Sequence, residues 1–518
     1  MKTILFATFF LAGLCSNLSA NNISITNVTL TGQNTTAGTN NSANYAMVKF
    51  SVAWENSWRV SLTNWDAAWV FVKYRIGNNG NWQHVQLNND GHLAPLGSKI
   101  TAGLLRPDTT FNLNTNPGIG AFIYRDADGS GTFTASNVQL RWNYGAQGLS
   151  DNAQIEVKVF AIEMVYVPQG AFAAGDGGLG STYPLTTINT GIINTTSSGS
   201  GSLGGKAGGY PPSETVPFST GWPNGYNAYY CMKYEISQQQ YIDFLNSLTK
   251  PQQNVRVESD ISQATVSNVY VMSISNSIQN RNAIRAPSSL PTYPTPVTFF
   301  CDYNGSNSGG DPDDGKWIAC NYLKWGDVSA YFDWSGLRPM TEMEFEKSCR
   351  GTLPSVIGEY AWGSPSIIQS TSLNNSGTTS ETTNPSNANS NCNFSGNPIN
   401  GPVRVGAFAK TSSSRISSGA SYYGAMEMTG NLWEITVTSA NIQGRNFSGL
   451  HGDGVLTFDG DQNVSNWPNY STGLGSGMRG GGWGYQNPDL QVSDRSEATV
   501  VNGSRGSYFG GRGVRSVQ

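Results

Sequence analysis

The sequence predicts an α+β protein, with an all-β sandwich followed by a larger domain that has few helices and long ordered loops. Gly, Trp and Tyr are abundant, with 61, 14 and 23 among 518 residues, which is typical of strand-rich and loop-rich proteins. Short apolar runs separated by turns fill the first 160 residues, and amphipathic helical patterns appear only after residue 230. Because a chain of this length exceeds one ordinary core, two domains are expected.

The predicted sandwich occupies residues 21–160, where the spacing of apolar runs and turns is typical of this fold. Its predicted strands are Tyr45–Trp54, Ala68–Ile76, Trp82–Leu87, Phe122–Tyr124, Val138–Trp142 and Ile155–Ile162. Asn79-Gly80 predicts a tight turn. The segment 126–131 has oxygen-bearing residues where an EF-type calcium loop needs them, but Asn137 replaces the final Glu. We therefore interpret this segment as a hairpin turn.

The second domain is predicted for residues 161–518. We place its start near Ala161 because a new apolar strand is expected from Met164, followed by a Gly/Ser/Thr-rich loop over residues 175–209. Helices are expected after two capping boxes, which begin at Ser237 and Thr341. A third apolar stripe starts at Trp325 and ends at Gly336, and long Asn/Ser-rich loops follow residue 351.

Residues 1–20 have the layout of a cleaved signal peptide. Lys2 precedes an apolar run over residues 4–14, and the segment ends at Ala20. The expected location is therefore secreted or extracytoplasmic, in the periplasm or on the outer surface of a bacterium. A lipoprotein anchor on Cys15 is the alternative, but Leu14 stands where such a signal needs a small residue. No later apolar run is long enough for a transmembrane helix.

Charge excludes two classes of partner. Only 12% of residues are charged and the formal net charge is -4, so the concentrated positive field that nucleic acid or anionic lipid requires is absent. The expected partner is a protein or glycan ligand at the cell surface.

The cysteines that remain after the signal peptide are odd in number, so they cannot all pair within the chain. They are Cys231, Cys301, Cys320, Cys349 and Cys392. We favour buried thiols, because none of the five forms a CxxC motif and two lie in helical patterns. One or two disulfides stay open as the alternative, and the sequence cannot choose their pairing.

Five ordered motifs carry a family resemblance. They are Met164-Val165-Tyr166-Val167-Pro168-Gln169-Gly170, Glu235-Ile236-Ser237, the run from Leu337 to Glu346, the run from Tyr423 to Glu434 that ends Gly-Asn-Leu-Trp-Glu, and Arg479-Gly480-Gly481-Gly482-Trp483. In this order they resemble the formylglycine-generating enzyme (sulfatase-modifying factor) family over about 350 residues. The resemblance implies a variant C-type-lectin fold. It also implies one of three classes: copper-dependent oxidases, iron-dependent sulfoxide synthases or non-catalytic surface proteins.

The metals of the two catalytic classes do not suit this sequence. The oxidases of the family hold copper with two thiolates that lie after the Arg-Gly-Gly motif, and soft thiolates suit Cu(I). The matching segment here, residues 484–493, contains no cysteine. The iron branch needs three imidazoles, and His84, His92 and His451 are the only histidines in the chain. Since two of them belong to the other domain, copper and iron are both unexpected.

Other catalytic interpretations are less specific. His451 with Asp453 suggests a general base and its orienter, but we favour a polar loop. A Ser/His/Asp triad around His451 lacks a nucleophile-elbow motif. Glu235, Glu427 and Glu434 are candidate paired carboxylates for which spacing alone gives no support. An oxidoreductase or hydrolase with an unrecognised site in the same groove stays the alternative function.

Calcium is the metal that the resemblance favours. The family calcium loop implies carbonyl ligands at Thr429 and Leu432 and the Glu434 carboxylate, and a second site around Asn391 and Asn393. Hard cations bind six to eight oxygens, which irregular loops can supply. The alternative is that Glu434 is a buried carboxylate satisfied by neighbouring donors.

A binding groove is the last candidate. It would be lined by Trp433, Trp483, Arg479, Arg495 and His451. The alternative is that the two tryptophans pack in the core and that the arginines hold loops in ion pairs. We predict a calcium-stabilised, non-catalytic binding or structural module, with no assigned catalytic residue.

Overall fold

The computed structural model describes residues 23–178, 182–191, 219, 221–383, 390–396, 398–410, 413–501 and 503–517. The predicted signal peptide and Cys15 lie outside these residues. Among the described residues, no helix is long and apolar enough to cross a membrane.

The strands of the N-terminal part are β1 (Ser24–Asn34), β2 (Tyr45–Ser61), β3 (Asn64–Ile76), β4 (Gln83–His84), β5 (Ser98–Leu104), β6 (Gly118–Arg125), β7 (Gly129–Trp142) and β8 (Ile155–Val167). The later strands are β9 (Phe172–Ala174), β10 (Thr186–Ile188), β11 (Tyr229–Met232), β12 (Ile284–Arg285), β13 (Phe300–Cys301), β14 (Arg338–Pro339), β15 (Leu373–Asn374), β16 (Thr382–Thr383), β17 (Trp433–Val437), β18 (Ser476–Arg479), β19 (Phe509–Gly510) and β20 (Gly513–Ser516). The α-helices are α1 (Gln238–Leu245), α2 (Lys250–Arg256), α3 (Trp325–Ser335), α4 (Glu342–Arg350), α5 (Arg415–Ser418) and α6 (Ile442–Arg445).

The N-terminal part is a sandwich, as predicted. On one side β2 pairs with β1 and β7; on the other, β3 pairs with β6 and β8, and β5 pairs with β6. Alternate residues of the strands point into one shared core, as the two-residue period of a strand requires. The core includes Val48, Phe50, Val52, Val70, Val72, Ile123, Val138 and Leu140.

One of the two predicted turns is correct. The segment with Asn79-Gly80 joins β3 to β4, which pair as a hairpin. The segment 126–128 is not a hairpin turn, because β6 pairs with β3 and β5 whereas β7 pairs with β2. It crosses from one sheet of the sandwich to the other. The turn residues correctly predicted where the chain reverses direction. They did not predict which strands β6 and β7 pair with.

The strand β8 belongs to both parts of the molecule. A new strand was expected to start at Met164, but one unbroken strand runs from Ile155 to Val167. It pairs with β3 from Ile155 to Val165 and with β11 through its last four residues. From β11 the sheet continues through β20 to β14. The predicted boundary between residues 160 and 161 therefore falls inside a strand.

Both faces of β3 are consequently buried. Val70 and Val72 face the sandwich core, whereas Trp69 and Phe71 pack in a second core that contains α1 and α3. The indole of Trp69 donates a hydrogen bond to the carbonyl of Ser335, at 2.8 Å. The two parts are packed together along an apolar interface rather than joined by a flexible linker.

The three predicted helices are confirmed. The side chain of Thr341 caps α4, and the Glu344 carboxylate accepts a hydrogen bond from the Thr341 backbone N–H at 3.0 Å. Helix α3 ends at Gly336, which has a left-handed φ of 72°. Helix α2 was missed, although Thr249 and Gln252 form its capping box, because its apolar periodicity is weak. The five cysteines named above are free and buried, which confirms the interpretation as buried thiols.

Candidate functional site

The segment 484–493, which contains no cysteine, is packed into the domain. It includes a short 3-10 helix, Asn487–Leu490, and buries Leu490 and Val492. The hydroxyl of Thr429 donates to the Leu490 carbonyl at 3.2 Å, and Arg479 donates to the Val492 carbonyl at 2.6 Å. Leu490 and Val492 therefore belong to the core, whereas residues 486–488 are exposed.

A buried network of charges supports this segment, and we call it the Glu342 network. It consists of Glu342, Glu346, Arg350, Glu359, Arg479 and Arg495. Arg495 and Arg479 contact Glu342 at 2.6 and 3.0 Å, and Arg479 also contacts Glu346 at 2.8 Å. Each side chain is buried, and each charge has an opposite charge as a direct neighbour.

The arginines determine the protonation of Glu342. Burial alone would favour the neutral acid, but Arg495 and Arg479 outweigh it and lower the pKa of Glu342 to about 2. The same pairing raises the pKa of Arg495 above its ordinary value. Thr438 and the backbone N–H of Ser439 donate to the remaining lone pairs of Glu342, at 2.6 and 2.9 Å. The Glu342 carboxylate is thus ionised, and both of its oxygens accept hydrogen bonds.

The loop from Thr429 to Glu434 is held by backbone hydrogen bonds to neighbouring segments and by side chains of the protein. The Glu235 carboxylate accepts the backbone N–H of Leu432 at 2.9 Å and the amide of Asn431. Arg512 donates to Oε1 of Glu434 at 2.7 Å. The Thr429 carbonyl accepts the thiol of Cys392 at 3.2 Å.

One oxygen in this loop is open to a further ligand. Oε2 of Glu434 is buried and has no hydrogen-bond partner among the described residues, as expected of a carboxylate that also binds a cation. No group of three or more His, Cys, Asp or Glu side chains in the described parts of the chain is placed to hold a metal ion. Calcium here would therefore depend on backbone carbonyls and Glu434, which is the donor set that the sequence suggested.

The residues of the second suggested calcium site, Asn391 and Asn393, hydrogen-bond to other parts of the chain. The side-chain amide of Asn391 is used at both ends, since Oδ1 accepts the Ile368 N–H at 3.0 Å and Nδ2 donates to the Ile416 carbonyl at 3.1 Å. The amide nitrogen of Asn393 donates to Gly401 and Asn431. These side chains bind their own loops.

Comparison with known proteins decides the family. A family model for the sulfatase-modifying factor enzyme 1-like domain matches residues 161–517. The chain belongs to this family. A comparison with curated proteins gives no match. The resemblance carried by the five motifs is confirmed, as is the α+β fold with a C-type-lectin-like second domain.

Within the sulfatase-modifying factor domain, most residues suggested for a groove are buried. Trp433 packs edge-on against Tyr485 at 5.1 Å between ring centroids, and Trp483 donates to the Ser507 carbonyl at 2.8 Å. Arg479 and Arg495 belong to the Glu342 network. The two tryptophans therefore pack in the core and the two arginines form ion pairs. This agrees with the alternative to a binding groove that the sequence analysis left open.

His451 lies apart from them, against the sandwich. Its Nε2 accepts the Ser516 N–H at 3.0 Å, so its Nδ1 carries the proton and faces the Leu105 carbonyl at 3.3 Å. Burial lowers the pKa of His451 well below its ordinary range, and Arg515 and Arg338 lower it further. The Ser516 bond occupies the lone pair that a general base would use. Asp453 makes no contact with this ring and instead accepts the Val455 N–H.

Two cavities lie where the sandwich meets the sulfatase-modifying factor domain. The first has a volume of about 590 Å³ and is lined by Arg106, Asp108, Tyr166, Trp222, Asn227 and His451, among others. The second has a volume of about 420 Å³ and is lined by Lys73, Gln86, Thr115, Trp334, Asp453 and Leu456, among others. We call the second the Lys73 cavity.

Sequence reasoning missed the acidic half of the Glu342 network and the side chains of the Lys73 cavity. A signal existed for one of them, since Lys73 interrupts an otherwise apolar strand, Trp69 to Tyr74. A lysine in such a run either lies on an edge strand or is buried next to a polar or charged partner. Residues of α4 gave no signal, because a Glu-rich first turn is also typical of an exposed helix.

Proposed function

We propose that the sulfatase-modifying factor domain of this protein is a non-catalytic binding or structural module that acts outside the cytoplasm. The observation that supports it is the use of the 484–493 segment. In the segment where copper-dependent members of the family hold thiolates, this chain has no cysteine, and Leu490 and Val492 of that segment are packed in the core. The segment therefore offers no soft ligand for Cu(I), and its buried side chains are engaged in packing.

The test is a joint measurement of copper binding and of cysteine oxidation. The full chain is reduced, titrated with Cu(I) against a competing chelator and assayed for formylglycine in a sulfatase-type cysteine peptide. We expect no stoichiometric copper and no product. Stoichiometric copper together with peptide oxidation would contradict the proposal.

The proposed module includes one calcium ion at the loop 429–434. The open Oε2 of Glu434 supports this part. We expect a chelator to lower the melting temperature of the wild-type protein and to leave that of Glu434→Gln unchanged. Glu258→Gln, which alters a carboxylate paired with Arg505 near the surface, is the control and should keep the response. Equal melting curves with and without chelator in the wild type would remove calcium from the proposal.

The proposed ligand is a surface protein or glycan, and the 590 Å³ cavity supports it, because aromatic and polar groups line it together. A glycan and peptide array probed with the full chain tests this point. A bound ligand should be lost in the double variant Arg106→Ala/Asp108→Ala, whose side chains are exposed, and retained in Lys99→Ala. Binding that survives the double variant would exclude this cavity.

A further inference from the structure

The Lys73 cavity is formed by both parts of the molecule. Strands β3 and β4 supply Lys73 and His84, the end of α3 supplies Trp334, and the loop after α6 supplies Asp453 and Gly454. It is separate from the 484–493 segment and from the loop 429–434. Its walls combine an amine, a carboxylate, amide groups and an indole, which is the mixture expected of a site for a small polar molecule.

Lys73 has an unusual environment in this cavity. Its side chain is buried, and Nζ donates to the Gly454 carbonyl at 2.7 Å. It forms no ion pair with a described residue, and Asp333, Asp453 and His84 are the titratable groups around it. The rings of Trp334 and Phe71 lie at 5.3 and 5.9 Å from Nζ. An ammonium ion buried without a paired carboxylate loses most of its hydration and gains little in exchange.

Burial therefore favours the neutral amine. It lowers the pKa of Lys73 to about 7, against the partial opposition of Asp333 and Asp453. By contrast Lys233, at the same domain junction, contacts Asp66 and Glu163 at 3.1 and 3.0 Å, and its pKa is raised. Two buried lysines of one interface thus differ in charge, and only Lys73 faces a cavity of the size that holds a ligand.

We propose that the Lys73 cavity binds a small hydroxyaldehyde, and that Lys73 holds it as an imine. A neutral amine in a desolvated pocket is the usual nucleophile for carbonyl carbon. The cavity volume of about 420 Å³ accommodates several non-hydrogen atoms. The hydroxyl groups of such a ligand would be bound by the Asp453 carboxylate and by the polar side chains of Gln86 and Thr115, which line the same space.

The chemical step is balanced without an added oxidant or reductant. The lone pair of Nζ attacks the aldehyde carbon and forms the C–N bond, while the carbonyl oxygen takes a proton. Nζ loses one proton, which gives a neutral carbinolamine. The hydroxyl group then takes a second proton and leaves as water when the C–O bond breaks, and Nζ gives up its second proton, so that amine and aldehyde become imine and water. Asp453 lines the cavity, and burial raises the pKa of its carboxyl, so it is suited to move the proton between oxygen and nitrogen.

The test is reductive trapping on the full chain. The folded protein is treated with glycolaldehyde and cyanoborohydride, and the labelled lysines are mapped by peptide mass spectrometry. Lys347 is the matched internal control, because burial also lowers its pKa, to about 8, and its Nζ also donates to a carbonyl, that of Gly170. Lys347 lines neither cavity described above. We expect Lys73 to be labelled at least 10-fold faster than Lys347, with a rate that rises through about pH 7.

A second measurement tests the route of access. Thr115 is exposed at the cavity wall, so Thr115→Trp should slow labelling of Lys73 several-fold without changing labelling of Lys347. Labelling of Lys73 no faster than that of Lys347 in the wild type would overturn the proposal, and so would a rate unaffected by Thr115→Trp. The result is independent of the copper and calcium experiments, because none of the residues involved is shared.

Discussion

The Glu342 network and two cations of the domain junction, Lys73 and Arg515, are buried in opposite ways. In the network each carboxylate and guanidinium contacts an opposite charge, and the pKa of Glu342 falls to about 2. At the junction Lys73 and Arg515 are buried against carbonyl groups, and burial lowers the pKa of both. Arg515 donates to the carbonyls of Gly336 and Leu104 and stacks on Trp69.

The difference shows that burial alone does not determine the state of a charged side chain. Desolvation acts on all of these groups, and the sign of the pKa shift depends on whether an opposite charge is in contact. Paired charges stay ionised and fix the geometry of the 484–493 segment. Unpaired cations lower the stability at neutral pH, and one of them, Lys73, lines a cavity. Four experiments follow from this contrast.

The largest effect is expected from breaking the Glu342 network. Glu342→Gln removes the carboxylate that Arg495 contacts, and this arginine would be left buried without a charged partner. We expect a loss of about 3 to 5 kcal/mol in the free energy of unfolding, measured by chemical denaturation. The loss should be full above pH 4.5, where the unfolded glutamate is ionised, and should fade as the pH falls towards about 2. A loss below 1 kcal/mol would show that the network is replaceable.

Removing the unpaired Arg515 should lower the free energy of unfolding by less than Glu342→Gln does. Arg515→Met keeps the apolar stem against Trp69 but leaves the Gly336 and Leu104 carbonyls without this donor. Because the charge itself was unfavourable, only the lost hydrogen bonds count, at about 2 to 3 kcal/mol. Denaturation of Arg75→Met, which alters a partly exposed arginine, provides the control. A loss as large as that of Glu342→Gln would erase the distinction between the two regions.

Lys73 should make stability depend on alkaline pH. The ordinary pKa of 10.5 applies to the unfolded chain and a pKa of about 7 to the folded protein. Between these values the unfolded state binds the extra proton, so stability rises with pH. Between pH 7 and 9 we expect the free energy of unfolding of the wild type to rise by about 2 kcal/mol relative to that of Lys73→Met. Parallel curves for the two proteins across this range would show that Lys73 keeps its proton.

The smallest effect is expected at a surface pair. Glu156 contacts Arg75 at 2.5 Å, but its side chain is 41% exposed. Because water screens this pair, Glu156→Gln should change the free energy of unfolding by less than about 1 kcal/mol, and less still at high salt. A change of about 3 kcal/mol would mean that contact distance rather than burial governs these charges.

Local features of the sequence predicted the local features of the fold. The capping boxes at Ser237 and Thr341 and the glycine at position 336 gave three helices, because caps and turns depend on a few neighbouring residues. The order of five motifs gave the family. The partner of each strand was harder to predict, as the crossing at 126–128 shows, because pairing depends on residues far apart in the chain.

The candidate sites show the same difference between features set by neighbouring residues and features set by residues far apart in the chain. The cysteine-free segment and the loop 429–434 could be found by motif, since their residues are contiguous. The Lys73 cavity could not, because its main groups come from positions 73, 334 and 453. The burial of Arg479 and Arg495 likewise depends on α4, which lies more than 100 residues earlier. Only tertiary packing brings such groups together.

The unbroken strand β8 also has a consequence for how the molecule comes apart. Because its backbone amides bind β3 and β11 together, neither part can lose β8 without stripping hydrogen bonds from the other. Cutting the chain at residue 160 would leave each fragment with an unpaired sheet edge and an exposed apolar face. In the intact chain, we therefore expect the sandwich and the domain after it to unfold in one calorimetric transition. We also expect no protease-sensitive site between the two parts.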